Sequence, residues 1–149
     1  MQLNYNHIFK NFPYNSRVWV YLSSRELLDS EKDIIKIDLE NFIENWSTHG
    51  KKLKADFLIL YNFFILFIVD ENITAISGCS IDKSVQIMKK IGDKINVDFF
   101  NRMNVLTVNE NKFEITNYNK IKKLESASYF NPVVNSLEDL RLNWFKTGN

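Results

Sequence analysis

Two apolar segments, Lys54-Ala-Asp-Phe-Leu-Ile-Leu60 and Phe63-Phe-Ile-Leu-Phe-Ile-Val69, decide the fold of this chain. Both are short and rich in Phe and Ile, which is typical of β-strands. The Tyr61-Asn62 pair between them suits a tight hairpin turn. Because the second segment is apolar on both faces, we expect a central strand, with helices on one face and the C-terminal segment partly covering the other.

The segments before this hairpin predict a strand and a helix. Arg17-Val-Trp-Val-Tyr-Leu22 is β-branched and aromatic, and it predicts the first strand. Ser30 with Asp33 three residues later resembles a capping box, and Gly50 offers a C-terminal cap. The apolar residues that repeat at helical spacing between these signals are Ile35, Leu39, Phe42, Ile43 and Trp46.

The segments after the hairpin predict a second helix and a second hairpin. Ser80 can cap a helix whose apolar side carries Val85, Met88, Ile91 and Ile95. Residues 105–108 and 112–116 alternate around Asn109-Glu110-Asn111 and predict two more strands. Short helices are expected at residues 118–125 and 136–145, the latter opened by Ser136 and Asp139.

This order of elements predicts an α+β fold of the ferredoxin-like type, with the arrangement βαββαβ in a two-layer sandwich. The sheet should be mostly antiparallel, with an extra strand and a C-terminal helical tail. At 149 residues the chain fits a single domain, 1–149. Residues 1–15 should form an irregular lead, and residues 118–149 a C-terminal helical extension.

Composition narrows the function classes. Lys+Arg 19 against Asp+Glu 18 leaves a net charge of +1, so a general nucleic-acid binder is disfavoured. A single cysteine, Cys79, cannot form an internal disulfide and favours the cytoplasm. The N-terminal residues show no secretory signal pattern. The most apolar stretch, residues 57–69, is shorter than a membrane span, so no membrane insertion is expected.

Several short segments together resemble a known family. They are Val18-Trp-Val-Tyr21 with Ser24-Arg-Glu-Leu27, Trp46-Ser-Thr-His-Gly50, Leu53-Lys-Ala-Asp-Phe57, Val69-Asp-Glu71 and Ser77-Gly-Cys-Ser-Ile-Asp-Lys-Ser-Val85. In these segments the chain resembles a small bacterial family whose members often carry the label "ABC transporter ATPase". The resemblance extends from Val18 to about Met103, and its most specific element is the Ser77 to Val85 string.

The chemistry of nucleotide binding does not support that label. A P-loop follows the pattern G-x-x-x-x-G-K-[ST], in which the glycines let backbone amides surround phosphate and the lysine reaches the outer phosphates. In Gly78-Cys-Ser-Ile-Asp-Lys-Ser84 the lysine comes one place too early, and Ile81-Asp82 stands where flexibility is required. We therefore expect no Walker A motif and no transport ATPase.

Cys79 is the candidate catalytic residue, because a thiol at the start of a helix is favoured as a thiolate. Lys83 would add positive charge, and His49 or His7 would be the imidazole partner of a Cys-His pair. The alternative is that Cys79 is a small buried residue and that its neighbours form a capping turn.

The same loop can be interpreted as an anion site, with Gly78, Ser80 and Lys83 binding a phosphate or carboxylate at the helix N-terminus. Asp82 argues against a highly charged ligand and favours plain helix capping instead.

Two further residues are weaker site candidates. His49 lies beside Gly50, where it could hydrogen-bond the last carbonyls of the first helix. Asp70 ends the second strand of the apolar hairpin, where a carboxylate can line a site or only end the strand in solvent. The histidines and the cysteine lack the ligand spacing of zinc sites, so neither a metal nor a cofactor is expected.

Two functions remain open at this point. The first is a non-catalytic binding or interaction module in the cytoplasm. It uses the edge and the open face of its sheet, or the Gly78 to Lys83 loop, to hold a small anionic ligand or a protein partner. The second is a small thiol-dependent enzyme that uses Cys79. A homodimer is left open.

Overall fold

The computed structural model describes residues 4–121 and 127–148. Within these residues the helices are α1 (Asp29–Asn45), α2 (Gly78–Ile95), α3 (Tyr118–Ile121) and α4 (Leu137–Asn143). The strands are β1 (Arg17–Leu22), β2 (Ser47–Thr48), β3 (Lys51–Lys52), β4 (Ala55–Leu60), β5 (Phe64–Val69), β6 (Asn104–Asn109), β7 (Lys112–Asn117), β8 (Ser128–Phe130) and β9 (Phe145–Lys146).

The apolar hairpin forms as predicted. Strands β4 and β5 pair in antiparallel register from Ala55 opposite Val69 to Leu60 opposite Phe64. Tyr61 and Asn62 both have positive φ, 59° and 62°, which is the geometry of a tight hairpin turn. Strand β5 also pairs with β1, so the order in this sheet is β1-β5-β4. Every residue of β5 is buried, and the prediction of a central strand is confirmed.

The two faces of β5 belong to two different apolar clusters, because successive side chains of a strand point in opposite directions. Ile65, Phe67 and Val69 pack with residues of α1 and α2, among them Ile35, Leu39, Met88 and Ile91. Phe64, Leu66 and Ile68 pack with the lead residues Tyr5 and Ile8 and with C-terminal residues, among them Leu106, Phe130, Leu140 and Trp144. The helices therefore cover one face of the first sheet, and the C-terminal part of the chain covers the other.

A second antiparallel sheet, in the order β7-β6-β8-β9, supplies much of that C-terminal cover. The predicted hairpin of β6 and β7 is confirmed, with its turn at Glu110 and Asn111. The prediction of a purely helical extension from residue 118 is wrong, because β8 and β9 form there beside α4. Strands of three and two residues are too short to leave a periodic pattern in the sequence. Of the helix predicted at 118–125, residues 118–121 are helical and the rest lies outside the described residues.

The α+β class and the antiparallel sheets are confirmed. The position of β6 differs from the expected one, since β6 hydrogen-bonds to β7 and β8 in the second sheet and not to β1. No helix in the described ranges is both long and apolar enough to cross a membrane.

The limits of α1 differ from the predicted ones at both ends. The helix begins after Leu28, whose backbone N–H donates to Glu31 Oε1 at 2.9 Å, so the predicted pair of Ser30 and Asp33 is wrong. The Glu31 carboxylate can serve the first turn without a polar side chain at the cap. The helix ends at Asn45, and Gly50 lies beyond it, in the turn between β2 and β3.

Candidate functional site

The loop singled out by the sequence lies at the start of α2. Ser77 is the N-cap, and its hydroxyl oxygen accepts from the Ser80 backbone N–H at 3.2 Å. The expectation that Ser80 caps this helix is therefore wrong by one turn, and Gly78 and Cys79 are already helical. Cys79 is exposed, not the small buried residue of the alternative interpretation. Asp82 and Lys83 are exposed as well, and Asp82 accepts a bond from Gln86 at 2.7 Å.

Ser80 connects α2 to the β2–β3 hairpin. Its hydroxyl accepts from Thr48 Oγ1 at 2.8 Å and donates to the Ser47 carbonyl at 2.6 Å. Its own carbonyl accepts from the indole Nε1 of Trp46 at 2.9 Å. The hydroxyl and the amide of Ser80 are thus both used inside the protein, and Gly78 and Lys83 are the exposed members of the predicted anion-binding set. Anion binding there stays a prediction.

His49 occupies the turn of the same hairpin, not the end of α1 as expected. His49 and Gly50 have φ of 51° and 76°, which is the left-handed pair that a two-residue hairpin turn requires. Thr48, the neighbour of His49, accepts from the Ser77 N–H at 3.3 Å, so the hairpin lies against the start of α2. The fold therefore brings the His49 turn and the Cys79 helix start to one region of the molecule, and both residues are exposed.

Asp70 is buried at the end of β5, with 5% of its surface exposed. Its Oδ1 accepts from the Asn72 N–H at 3.0 Å, and Lys54 Nζ lies 4.0 Å from Oδ2. These contacts give Asp70 a structural role, since its carboxylate stabilises the turn after β5. In the described part of the chain, no group of three or more His, Cys, Asp or Glu side chains is arranged to hold a metal ion.

The sequence predicted a sheet edge as an interaction surface but did not indicate that this edge is the outer edge of β1. At its start this edge is paired: the Val18 N–H donates to the Asn135 carbonyl at 3.1 Å, and the Leu137 N–H donates to the Ser16 carbonyl at 2.9 Å. Alternate residues of a strand direct their backbone groups to the same side, so Val20 and Leu22 face the same way as Val18. Among the described residues, no hydrogen-bond partner is found for the N–H of Val20 or Leu22.

A cleft of about 470 Å³ runs along this open half of β1. Its lining comes from β1, from α2, from the segment after α2, from the first residue of β6 and from the segment after β8: Trp19, Val20, Tyr21, Leu22, Val85, Phe99, Phe100, Asn101, Arg102, Asn104, Pro132 and Val133. Most of these side chains are apolar, and Val133 is 74% exposed. Arg102 alone among the lining residues is charged. The cleft therefore presents strand backbone, aromatic walls and one cation together.

Arg25 and Glu31 form an ion pair, here called the Glu31 clamp, that contacts the C-terminal end of α2 close to this cleft. Arg25 donates to both carboxylate oxygens of Glu31, at 2.8 and 2.6 Å, and also to the Ile95 carbonyl at the end of α2 at 2.8 Å. These bonds from Arg25, together with the Leu28 N–H, lower the pKa of Glu31 to about 2. The clamp thus ties the loop before α1 to the C-terminus of α2, where the chain turns toward Phe99 and Phe100.

A second cavity of about 700 Å³ shares Phe99 and Phe100 with the cleft. It is more polar, and its lining includes Ser24, Lys89, Asp93 and Asp98. Asp98 uses its N–H to bond Ser24 Oγ at 3.0 Å and its Oδ1 to accept from the Phe100 N–H at 2.8 Å. These bonds fix the wall that the two cavities share.

No family model, no curated protein and no solved structure matches the chain. The resemblance to the family labelled "ABC transporter ATPase" therefore stays a prediction. The candidate site rests on the geometry of this structure.

Proposed function

We propose that this chain is a protein-interaction module whose β1 edge binds an extended segment of a partner protein. The observation that carries the proposal is the open backbone of Val20 and Leu22 beside an apolar cleft. An extended peptide that adds as a strand gains main-chain hydrogen bonds from such an edge and specificity from side-chain pockets next to it. The single cysteine supports a cytoplasmic location.

The ordering of the first sheet supports this choice of edge. We propose that β1, α1, β4, β5 and α2 are a ferredoxin-like unit, in which a fourth strand would pair along the outer edge of β1. In this chain the next strand, β6, belongs to the second sheet, and among the described residues the fourth position is filled at its start alone, by residues 135–137. The remainder of that position is the cleft.

The character of the open edge also favours a strand as ligand. Proteins usually protect a free strand edge with charged side chains, proline or a bulge. The open half of β1 is Val20-Tyr-Leu22, which carries none of these features. Each main-chain hydrogen bond made there would contribute about 0.5–1.5 kcal/mol net. The N–H and C=O groups of Val20 and Leu22 on this open edge provide up to four such bonds.

Nuclear magnetic resonance with a neutral peptide tests this function. The probe is acetyl-Thr-Val-Thr-Val-Thr-amide, added to the ¹⁵N-labelled chain. We expect saturable shifts of the Val20 and Leu22 amides. Val133→Asp should weaken binding because it places a charge on the apolar wall of the cleft. Ile73→Asp is the matched control, since Ile73 is an apolar residue of similar exposure (65%, against 74% for Val133) that does not line the cleft. Equal weakening by both variants, or shifts that avoid β1, would refute the proposal.

A thiol-dependent enzyme is the second candidate, favoured by the exposure of Cys79 in the first turn of α2 and by the seating of the His49 hairpin against that turn. Iodoacetamide labelling of the native chain tests the pair. If the two residues act together, His49→Gln should slow the labelling of Cys79, whereas Lys51→Gln, a change in the same hairpin, should not. An unchanged rate in His49→Gln would remove the Cys-His pair. Cys79→Ser also separates the two functions, because it should leave peptide binding at β1 intact.

A further inference from the structure

We infer that the segment bound at β1 is acidic and that it places a side-chain carboxylate on Arg102. This inference rests on the proposed function and names the chemistry of its partner. The cleft supplies a row of backbone groups, apolar walls and one charged side chain, which is a cation. An extended segment matches this combination when an apolar side chain fills the pocket and an acidic side chain lies beside it.

Arg102 is held at the cleft by a defined turn. The Met103 N–H donates to Asn101 Oδ1 at 3.0 Å, and the Asn104 N–H donates to the Asn101 carbonyl at 3.1 Å. The Met103 carbonyl accepts from the Tyr118 N–H at 2.7 Å, which fixes the turn to the end of β7. Arg102 itself is exposed, so its guanidinium is available for bidentate hydrogen bonding to a carboxylate.

Two more cations stand against the aromatic walls of the cleft. Arg17 lies with its guanidinium carbon 4.9 Å from the centre of the Trp19 ring, and Lys89 Nζ lies 5.6 Å from the centre of the Phe100 ring. Acidic side chains accompany both of these cations. Glu71 lies 3.8 Å from Arg17, and Asp93 and Asp98 line the second cavity together with Lys89. Arg102 is the charged side chain in the cleft lining itself, and its positive charge is complementary to an acidic segment.

The carboxylate is assigned to a side chain and not to a chain terminus. Pairing with both Val20 and Leu22 requires partner backbone along the whole open edge of β1. A segment that continues past Arg102 can meet this requirement and still direct an alternate side chain to the guanidinium, since strand side chains repeat every second residue.

Three peptides with the same backbone test the inference: acetyl-Thr-Val-Thr-Val-Glu-amide and its versions with Gln or Lys in place of Glu. We expect the Glu peptide to bind about 5-fold more tightly than the Gln peptide and the Lys peptide to bind more weakly than either, an effect of the size found for exposed charge pairs. The preference should disappear in Arg102→Gln and in about 1 M salt, where screening is strong. It should persist in Lys112→Gln, a control that removes one exposed cation from the β6–β7 hairpin, outside the cleft lining.

Each outcome bears on a distinct statement. Equal binding of the Glu and Gln peptides would overturn the acidic partner and leave the strand-binding function standing. Tighter binding of a Gln peptide that ends in a free carboxylate than of the Glu peptide would overturn the assignment to a side chain. Binding of none of the peptides would overturn both proposals. Sedimentation of the free chain as a dimer, with the Val20 and Leu22 amides shifting with concentration, would overturn the acidic partner in favour of a second copy of the chain.

Discussion

Replacement of Trp46 is the perturbation for which the structure gives the clearest magnitude. Trp46 is 2% exposed and lies 5.1 Å from Phe42 and 6.0 Å from Phe67, measured between ring centres. Its indole N–H also donates to the Ser80 carbonyl at the start of α2. Removing a buried aromatic of this size costs about 3–5 kcal/mol, a large part of a domain stability of about 5–15 kcal/mol. We expect Trp46→Ala to lose stability in that range.

A second substitution separates the ring from its hydrogen bond. Trp46→Phe keeps most of the apolar contact but removes the indole hydrogen bond to the Ser80 carbonyl, so we expect a loss of about 0.5–1.5 kcal/mol. Urea unfolding followed by circular dichroism is the assay, because the substitutions change tryptophan fluorescence. Tyr14→Ala is the control, since Tyr14 is 64% exposed and its replacement should stay within about ±0.5 kcal/mol. A loss below about 1 kcal/mol for Trp46→Ala would refute this account of the helix layer.

Three further predictions concern the ends of the helices. Gly92→Ala should lower the free energy of unfolding, because the added Cβ would lie 2.5 Å from the Val97 carbonyl oxygen, and the resulting strain of about 1–3 kcal/mol exceeds the gain in helix propensity of about 1 kcal/mol. Gly78→Ala is the control, since there is open space around Gly78, and it should not lower stability. Equal urea midpoints for the two variants would contradict this prediction. Because the pKa of Glu31 is lowered in the folded protein, the ionised carboxylate stabilises the fold above the unfolded pKa of about 4.3, and this stabilisation is lost as the pH falls toward about 2. The difference in urea midpoint between the wild type and Glu31→Gln should therefore shrink between about pH 4.3 and about pH 2. A constant difference would be inconsistent with the contacts described for Glu31. Calorimetric titration with Mg-ATP should give no saturable heat, and low-micromolar binding that is lost in Lys83→Ala would restore the ATPase label.

The sequence predicted the parts of the fold that depend on local pattern. Strand β1, the β4–β5 hairpin and the central place of β5 followed from apolar content and from the Tyr61-Asn62 turn. The role of Gly50 was misread because a helix C-cap and a hairpin turn both favour a residue with positive φ, and sequence does not separate them. The cap of α1 was misread because Glu31 acts on a backbone N–H, which any residue at position 28 provides.

The candidate site could be predicted only in part. The loop at Cys79 carries recognisable residue types at a helix start, and sequence located it within one turn. The open edge of β1 depends instead on where β6 is placed, more than 80 positions later in the chain, and on where residues 135–137 pair. Tertiary packing decides both, so no periodicity near Val20 indicates them.

Amide hydrogen exchange along β1 tests the central claim most directly. In the free chain, the amides of Trp19 and Tyr21 point toward β5 and should exchange slowly, whereas those of Val20 and Leu22 should exchange at least about tenfold faster despite lying in the same strand. Saturation with acetyl-Thr-Val-Thr-Val-Glu-amide should slow the exchange of Val20 and Leu22 and leave Trp19 and Tyr21 unchanged. Slow exchange of Val20 and Leu22 in the free chain, or no added protection with the peptide, would contradict an open edge that binds a strand.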